Sequence, residues 1–430
     1  MKKAIIIGSG VGGLANALRL KAQGLDVVVF ENNSYPGGKL SSFNLGQYRF
    51  DAGPSLLTMP HYIDELFELF NENPKDYFNY KRKDISCKYF WEDKNELNEE
   101  SKKKKINNEK NKFLKVDKNI VTKYLLKAKK KYDLTKNIFL EQSLHKIKTY
   151  LSSDLLKGIF NLYIFQINKT LDTVNQDELK EPHLVQLFNR FATYNGSSPF
   201  KTPGMMTLIQ HLEQEYGTFV SEKGMINISK SIFDLAKRNG VKFEFNKLVN
   251  EIVVKNNKVV GVKVNNTMIE SDFVISNMDI VPTYKKLLKK SYQPKKVLNQ
   301  ERSSSALIFY WGIKKTFKNL ELHNILFSNN YKKEFDSIFE LGTISDDPTV
   351  YINITSKDIV SDAPKESENW FVMINSPNDK GQDWNEIIKT VRKNTINKIN
   401  RTLNIDIESF IEFEKVFSPK TIEKNTQSYL

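Results

Sequence analysis

The sequence predicts an α/β fold: a Rossmann-like domain assembled from separated stretches of chain, interrupted by a helix-rich and mixed-sheet domain. Three observations predict it. Residues 3–30, KAIIIGSGVGGLANALRLKAQGLDVVVF, read as strand, helix and strand. A second group of strand patterns begins near residue 249, and between the two groups apolar residues recur at helical spacing.

The first strand is the apolar run 4–7, which glycines interrupt too early for a secretory signal despite its basic flank. Leu14, Leu18 and Ala22 share one helix face, Gly24 stops that helix, and residues 27–30 form the next strand. After FDAGP at 50–54, residues 60–220 read as a helix-rich insertion, with Ile63, Leu66, Phe67 and Phe70 at three- and four-residue spacing. Turn residues return in TYNGSSPFKTPG. A helix through Ile228, Ile232 and Ala236 ends at Gly240, the strands LVNEIVV and VVGVKV are joined by KNNK, and SDFVISNMD adds another strand. SSALIFYWGI, PTVYINIT and NWFVMINS are strand-like, and residues 384–403 are helical. This reading puts the Rossmann-like domain on 1–60 and 221–290 and the second domain on 61–220 and 291–430.

Composition narrows the function classes. With 40% hydrophobic residues over 430 positions the chain can bury a core, and its single cysteine, Cys87, excludes an internal disulfide and a cysteine zinc cage. A reducing cytoplasmic compartment fits. No apolar run reaches the roughly 18 residues of a spanning helix. The five histidines show no metal-ligand spacing and read as surface or packing residues, and no serine sits in a nucleophile elbow. Of the net charge of +14, residues 102–131 supply +11, from thirteen lysines less Glu109 and Asp117. That run reads first as a solvated insertion and second as a contact for anionic lipid. Nucleic acid is disfavoured, because arginine is scarce there and no aromatic stacking pattern is interleaved.

Gly8, Gly10 and Gly13 form G-x-G-x-x-G between a strand and a helix, the context in which the helix N-terminus meets a pyrophosphate. Glu31, twenty-one residues past Gly10, is placed to accept hydrogen bonds from an adenosine ribose. NAD and FAD share both features. The second glycine turn, Gly37 and Gly38 followed by the cation Lys39, favours the larger dinucleotide, held along its length.

G-x-G-x-x-G, the acid, PGGK and FDAGP together resemble the N-terminal part of the FAD-dependent amine oxidase and carotenoid desaturase superfamily. DAGPSLLTMPHYIDELF and LFNRFATYNGSSPFKTPGMM resemble the phytoene-desaturase-like group, which includes hydroxycarotenoid desaturases. The resemblance implies FAD as cofactor, with Gly8, Gly10, Gly12, Gly13 and Glu31 on the adenosine and pyrophosphate, and Gly37, Gly38 and Lys39 on the phosphate side. It implies Asp51, Gly53 and Pro54 near the flavin, a strand from Val249 meeting the adenine, and Asn277 in the adjoining turn. Lys39 stands where relatives usually carry arginine, keeping the charge and losing the planar fork.

The implied activity is desaturation of phytoene or a hydroxycarotenoid in carotenoid biosynthesis, by hydride transfer to flavin, and no catalytic residue is named. The substrate would be a carotenoid or other long apolar polyene, and the protein cytoplasmic with peripheral membrane contact. The run Lys102–Lys105 would dock to lipid, and LLKGIFNLYIFQ would line an entry tunnel. The alternatives are an amine oxidase-like oxidoreductase with another substrate, an inactive fragment, and a non-catalytic subunit. Relatives carry a second glycine-rich flavin motif toward their C-termini, and that FAD-binding segment is expected to be absent from these 430 residues.

Overall fold

The computed structural model describes residues 1–100, 117–143, 146–147 and 161–428. Strand Lys3–Ile7 lies inside a four-stranded parallel sheet, between Phe273–Ser276 and Asp26–Phe30, with Lys242–Glu244 at the far edge. Its side chains alternate between two cores, as a strand's period of two requires. Ala4 and Ile6 face helices Val11–Ala22 and Ile226–Arg238, where Leu14, Leu18, Ile228, Ile232 and Leu235 are buried. Ile5 and Ile7 face the antiparallel strands Val249–Lys255 and Lys258–Val264, through Val249, Ile252 and Val262. Asn256 and Asn257 join those two strands with φ of 50° and 57°, left-handed values that a two-residue hairpin turn needs and asparagine tolerates.

Seven strands make the second sheet, in the order Ile411–Phe417, Ser305–Ile313, Glu368–Ser376, Val350–Asn353, His323–Leu326, Ile85–Phe90 and Glu96–Glu100. One face packs on helix Trp384–Leu403 and carries Leu307, Phe309, Trp311, Val350, Val372 and Ile374. The alternate residues Ala306, Ile308, Tyr351, Phe371 and Met373 point the other way, toward the hairpin Ser42–Leu45 and Tyr48–Asp51. The open side of this sheet forms one wall of the site.

The helix-rich reading of residues 60–220 holds for His61–Glu68, Lys118–Lys136, Leu171–Leu179 and Pro182–Asn189. It overlooked the strands Tyr80–Arg82, Ile85–Phe90 and Glu96–Glu100. Two of them have a partner far along the chain: Ile85–Phe90 pairs in parallel with His323–Leu326, and Tyr80–Arg82 pairs with Phe219–Ser221, while Glu96–Glu100 pairs with the neighbouring Ile85–Phe90. Strand formation there follows a pairing partner more than local propensity. Lys131, counted in the basic run, is buried, and its Nζ donates to Gln166 Oε1, Thr207 Oγ1 and the Gly204 carbonyl. Burial lowers its pKa to about 8.

Gly13 holds the first strand, turn and helix together. A Cβ there would lie 2.1 Å from the Gly8 carbonyl oxygen, a backbone atom unable to move aside. We therefore expect Gly13→Ala to destabilise the protein by about 1–3 kcal/mol or more, measured as a lower midpoint in urea unfolding.

Candidate active site

The two glycine turns meet at the C-terminal edge of the parallel sheet. The Gly37 amide donates to the Ser9 carbonyl at 2.9 Å, Gly37 bridges to Gly10, and a Cβ on Gly38 would stand 3.5 Å from the Gly10 Cα. Gly8, Gly37 and Gly38 have φ of 92°, 109° and 57°, so glycine is the residue that keeps both turns unstrained. Asn277 presses on the loop from below, with Nδ2 2.8 Å from the Cβ position of Gly10 and Oδ1 2.7 Å from that of Gly12. Gly10 and Gly12 are therefore needed by a protein neighbour as well as for access to a ligand.

The Glu31 carboxylate is buried and ties the second strand to this loop. Its Oε2 accepts from the amide and the hydroxyl of Ser9, both at 2.8 Å, and its Oε1 accepts from the Asn33 amide at 2.8 Å. A cavity of about 650 Å³ opens here, bounded by Gly8, Gly10, Glu31, Gly38, Val249 and Asn277. Lys39, Pro54, Leu56, Thr58 and Asp279 line both this cavity and a second one of about 1460 Å³. The larger cavity runs between helix Ile226–Arg238 and the open face of the seven-stranded sheet, with Gly53, Phe43, Ile308, Phe371 and Met373 among its walls.

One part of the larger cavity is polar. Arg190 is buried there, donating to Glu213 at 2.9 Å and to the Tyr89 hydroxyl at 2.6 and 3.0 Å, with Glu99 3.6 Å away. Burial raises the Glu213 pKa to about 7 against the pull of Arg190. His323 Nδ1 lies 2.7 Å from the Tyr351 hydroxyl, which in turn lies 2.7 Å from Ser55 Oγ. Burial, reinforced by the positive charges of Lys83 and Arg190, lowers the His323 pKa to about 3.

Thirteen residues were singled out from the sequence. Nine of them line the smaller cavity: Gly8, Gly10, Glu31, Gly37, Gly38, Lys39, Pro54, Val249 and Asn277. Gly53 lines the larger cavity and Pro54 lines both, while Gly12 and Gly13 shape the loop from behind. Asp51 lines neither. Its carboxylate accepts from the amides of Met225 at 2.9 Å and Ile226 at 3.3 Å, at the start of helix Ile226–Arg238, and pairs with Arg49. Sequence reasoning missed Arg190, Glu213, Tyr351 and His323. His183, between Glu181 and Asp93, fits the packing expectation, whereas His323 faces the cavity, and nothing around it in the sequence signals this. Lys102–Lys105 and residues 155–160 of the tunnel segment lie outside the described residues. Among the described residues no cluster of metal-ligating side chains occurs, and no helix is long and apolar enough to cross a membrane.

Residues 11–308 match the family described as flavin containing amine oxidoreductase. The chain belongs to the flavin-containing amine oxidoreductase family. It is 53% identical over 429 residues to a 1-hydroxycarotenoid 3,4-desaturase of Flavobacterium sp., covering 100% of this chain and 88% of that protein. It is 28% identical over 433 residues to a 4,4'-diaponeurosporene oxygenase of Staphylococcus aureus, covering 99% of this chain and 86% of that one. Among solved structures, a putrescine oxidase variant superposes with TM-score 0.63 at 12% identity, over 100% of this chain and 87% of its own. An oxidoreductase of Methanosarcina mazei gives 0.62 at 14%, over 96% and 87%. These two fix the fold.

The flavin family and the site agree. A family cofactor with a nucleotide tail needs a glycine cradle, a buried acid beside it and a neighbouring chamber, and all three are present in this flavoprotein. It is a flavin-dependent oxidoreductase.

The buried histidine gives this flavoprotein a testable acid response. Folded His323 stays neutral to about pH 3 while the unfolded side chain takes a proton near 6.5, so acidification through that window favours unfolding. Glu213 and Glu334, both raised to about 7 by burial, act in the opposite sense between about 7 and 4.5, so the readout is a difference. The gap in unfolding free energy between wild type and His323→Gln should shift toward the variant by about 1.4 kcal/mol per pH unit below 6.5, in urea melts at stepped pH.

Proposed function

We propose that this protein is an FAD-dependent desaturase of acyclic carotenoids, acting on a hydroxylated carotenoid in carotenoid biosynthesis. The observation that carries the reading is the cavity of about 1460 Å³, walled by Ile308, Phe371 and Met373 and joined to the glycine cradle through Lys39 and Pro54. The similarity to a relative named 1-hydroxycarotenoid 3,4-desaturase supports the substrate class.

Glu31 would hold the ribose, Gly8, Gly10, Gly37 and Gly38 would let backbone approach the pyrophosphate, and Lys39 would offset its charge. Val249 would meet the adenine. When bound, the flavin supplies the hydride acceptor. The chain's own task is then to bind the polyene, align one saturated bond and exclude water. Ile308, Phe371 and Met373 suit that task, being apolar and held by sheet pairings whose opposite face is packed on a helix. We assign the nucleotide-binding unit to residues 1–60 and 221–290 and the substrate-binding and membrane-facing unit to 61–220 and 291–430.

A polyene of this kind resides in a bilayer, so the protein would work at a membrane surface from the cytoplasmic side. The described parts of residues 117–167 support that placement. Leu126, Phe139, Leu140, Tyr163 and Ile167 are exposed there, beside Lys127, Lys129 and Lys136. Apolar side chains of this sort insert at the headgroup boundary while nearby lysines meet anionic lipid.

Purified protein supplied with FAD should show flavin absorption, and a host making acyclic hydroxycarotenoids should accumulate products with a longer conjugated system. An FAD-loaded protein that leaves such carotenoids unchanged would sink the reading. Glu31→Ala should weaken FAD binding by roughly ten- to a hundredfold in a fluorescence titration, because charge-assisted hydrogen bonds are lost. Replacing Phe139 and Leu140 together with serine should reduce sedimentation with vesicles containing anionic lipid, and unchanged sedimentation would reject the docking surface.

A further inference from the structure

His323 sits on the cavity face of the seven-stranded sheet, is 2% exposed, and its Nε2 has no hydrogen-bond partner. A buried polar atom left unpaired is costly, so its presence calls for an explanation. The network around the ring fixes what that atom offers. Asn353 Nδ2 donates to the Leu322 carbonyl at 3.0 Å and faces His323 Nδ1 at 3.2 Å. Turning the amide over would set its oxygen against the Leu322 carbonyl, so the nitrogen stays where it is. Nδ1 is therefore an acceptor, shared with the Tyr351 hydroxyl at 2.7 Å, and the neutral ring carries its proton on Nε2.

The unpaired group is thus a buried, neutral donor on a residue that lines a largely apolar cavity. Its surroundings say what it would take. Arg190 is already matched by Glu213 and Glu99, so its charge is not free for an anionic ligand. A hydroxyl oxygen satisfies the donor without bringing charge, and an alkyl end-group leaves it unpaired.

We propose that the Nε2–H of His323 donates a hydrogen bond to a hydroxyl oxygen of the polyene substrate, making His323 the residue that selects hydroxylated over unhydroxylated carotenoids. This rests on the carotenoid reading above. Tyr351, Ser55 and Asn353 act through the ring: they hold its tautomer and orientation and are positioning residues.

The test compares a hydroxylated acyclic carotenoid with its parent lacking only the hydroxyl, both delivered in liposomes to FAD-loaded protein. Both kcat/KM and the carotenoid Kd, from quenching of tryptophan fluorescence, are measured. Wild type should favour the hydroxylated compound by about tenfold or more in both quantities, as a site built around an unpaired donor does. Asparagine can reproduce the acceptor at Nδ1 but not the donor at Nε2, so in His323→Asn the preference should fall toward one. Glutamine can reach the Nε2 position with an amide donor, so His323→Gln should keep much of the preference. A purely structural role would lower turnover of both compounds alike and leave their ratio intact. An unchanged ratio in His323→Asn, or no preference in an active wild type, overturns the proposal. Conversion of neither compound by the FAD-loaded wild type overturns instead the carotenoid reading, and the proposal with it.

Discussion

One guanidinium ties the nucleotide-side helix to the seven-stranded sheet. Arg49 donates to Asp51 at 2.6 Å and to Asp362 at 2.9 Å, and both carboxylates are buried. Two buried carboxylates facing a single cation would be unstable without further donors. Asp51 finds them in the Met225 and Ile226 amides, where the free N–H groups and dipole of a helix start favour negative charge. Asp362 accepts from the Thr355 hydroxyl, and burial still raises its pKa. The nucleotide-side helix Ile226–Arg238 is thereby fixed relative to the hairpin Tyr48–Asp51 and to the connection between strands Val350–Asn353 and Glu368–Ser376 of the seven-stranded sheet. The Arg49 carbonyl, accepting from Asn369 at 2.7 Å, ties the same hairpin to strand Glu368–Ser376.

This linkage explains why Asp51 matters although it lines neither cavity. The FDAGP stretch carries two functions in five residues: Asp51 anchors a helix, while Gly53 and Pro54 reach the chamber. A Cβ on Gly53 would lie 2.0 Å from the Lys39 carbonyl, so this glycine lets the second phosphate-side turn pass directly over the first hairpin. Close backbone approach accordingly recurs at Gly13, Gly37 and Gly53, and each instance brings a separate piece of the cradle into register.

What the sequence made legible follows from how local each signal is. The glycine loop, Glu31 and the strand–helix–strand unit lie within thirty residues of one another, and their spacing alone encodes their geometry. The strands at 305–313 and 368–376 were also readable, being long, apolar and β-branched or aromatic. Ile85–Phe90 and His323–Leu326 were not: both are short, and although each also pairs with a strand closer in sequence, they meet each other across more than two hundred residues. The polar cluster was hidden for the same reason. Arg190 and Glu213 come from helical segments, while Tyr89, His323 and Tyr351 come from three strands, and only the tertiary arrangement brings them together.

The seven-stranded sheet then sets how that polar cluster can coexist with an apolar chamber. Leu307, Phe309, Val372 and Ile374 anchor one face against helix Trp384–Leu403, which frees the alternate positions from packing duty. Near Ile308, Phe371 and Met373 those positions stay apolar; toward Tyr351 and His323 they turn polar. A period-two strand allows this because a change on one face leaves the other untouched. The fold can therefore retain its core while the chamber's polar part is altered, and selectivity for an end-group can vary without disturbing the cradle that holds the nucleotide.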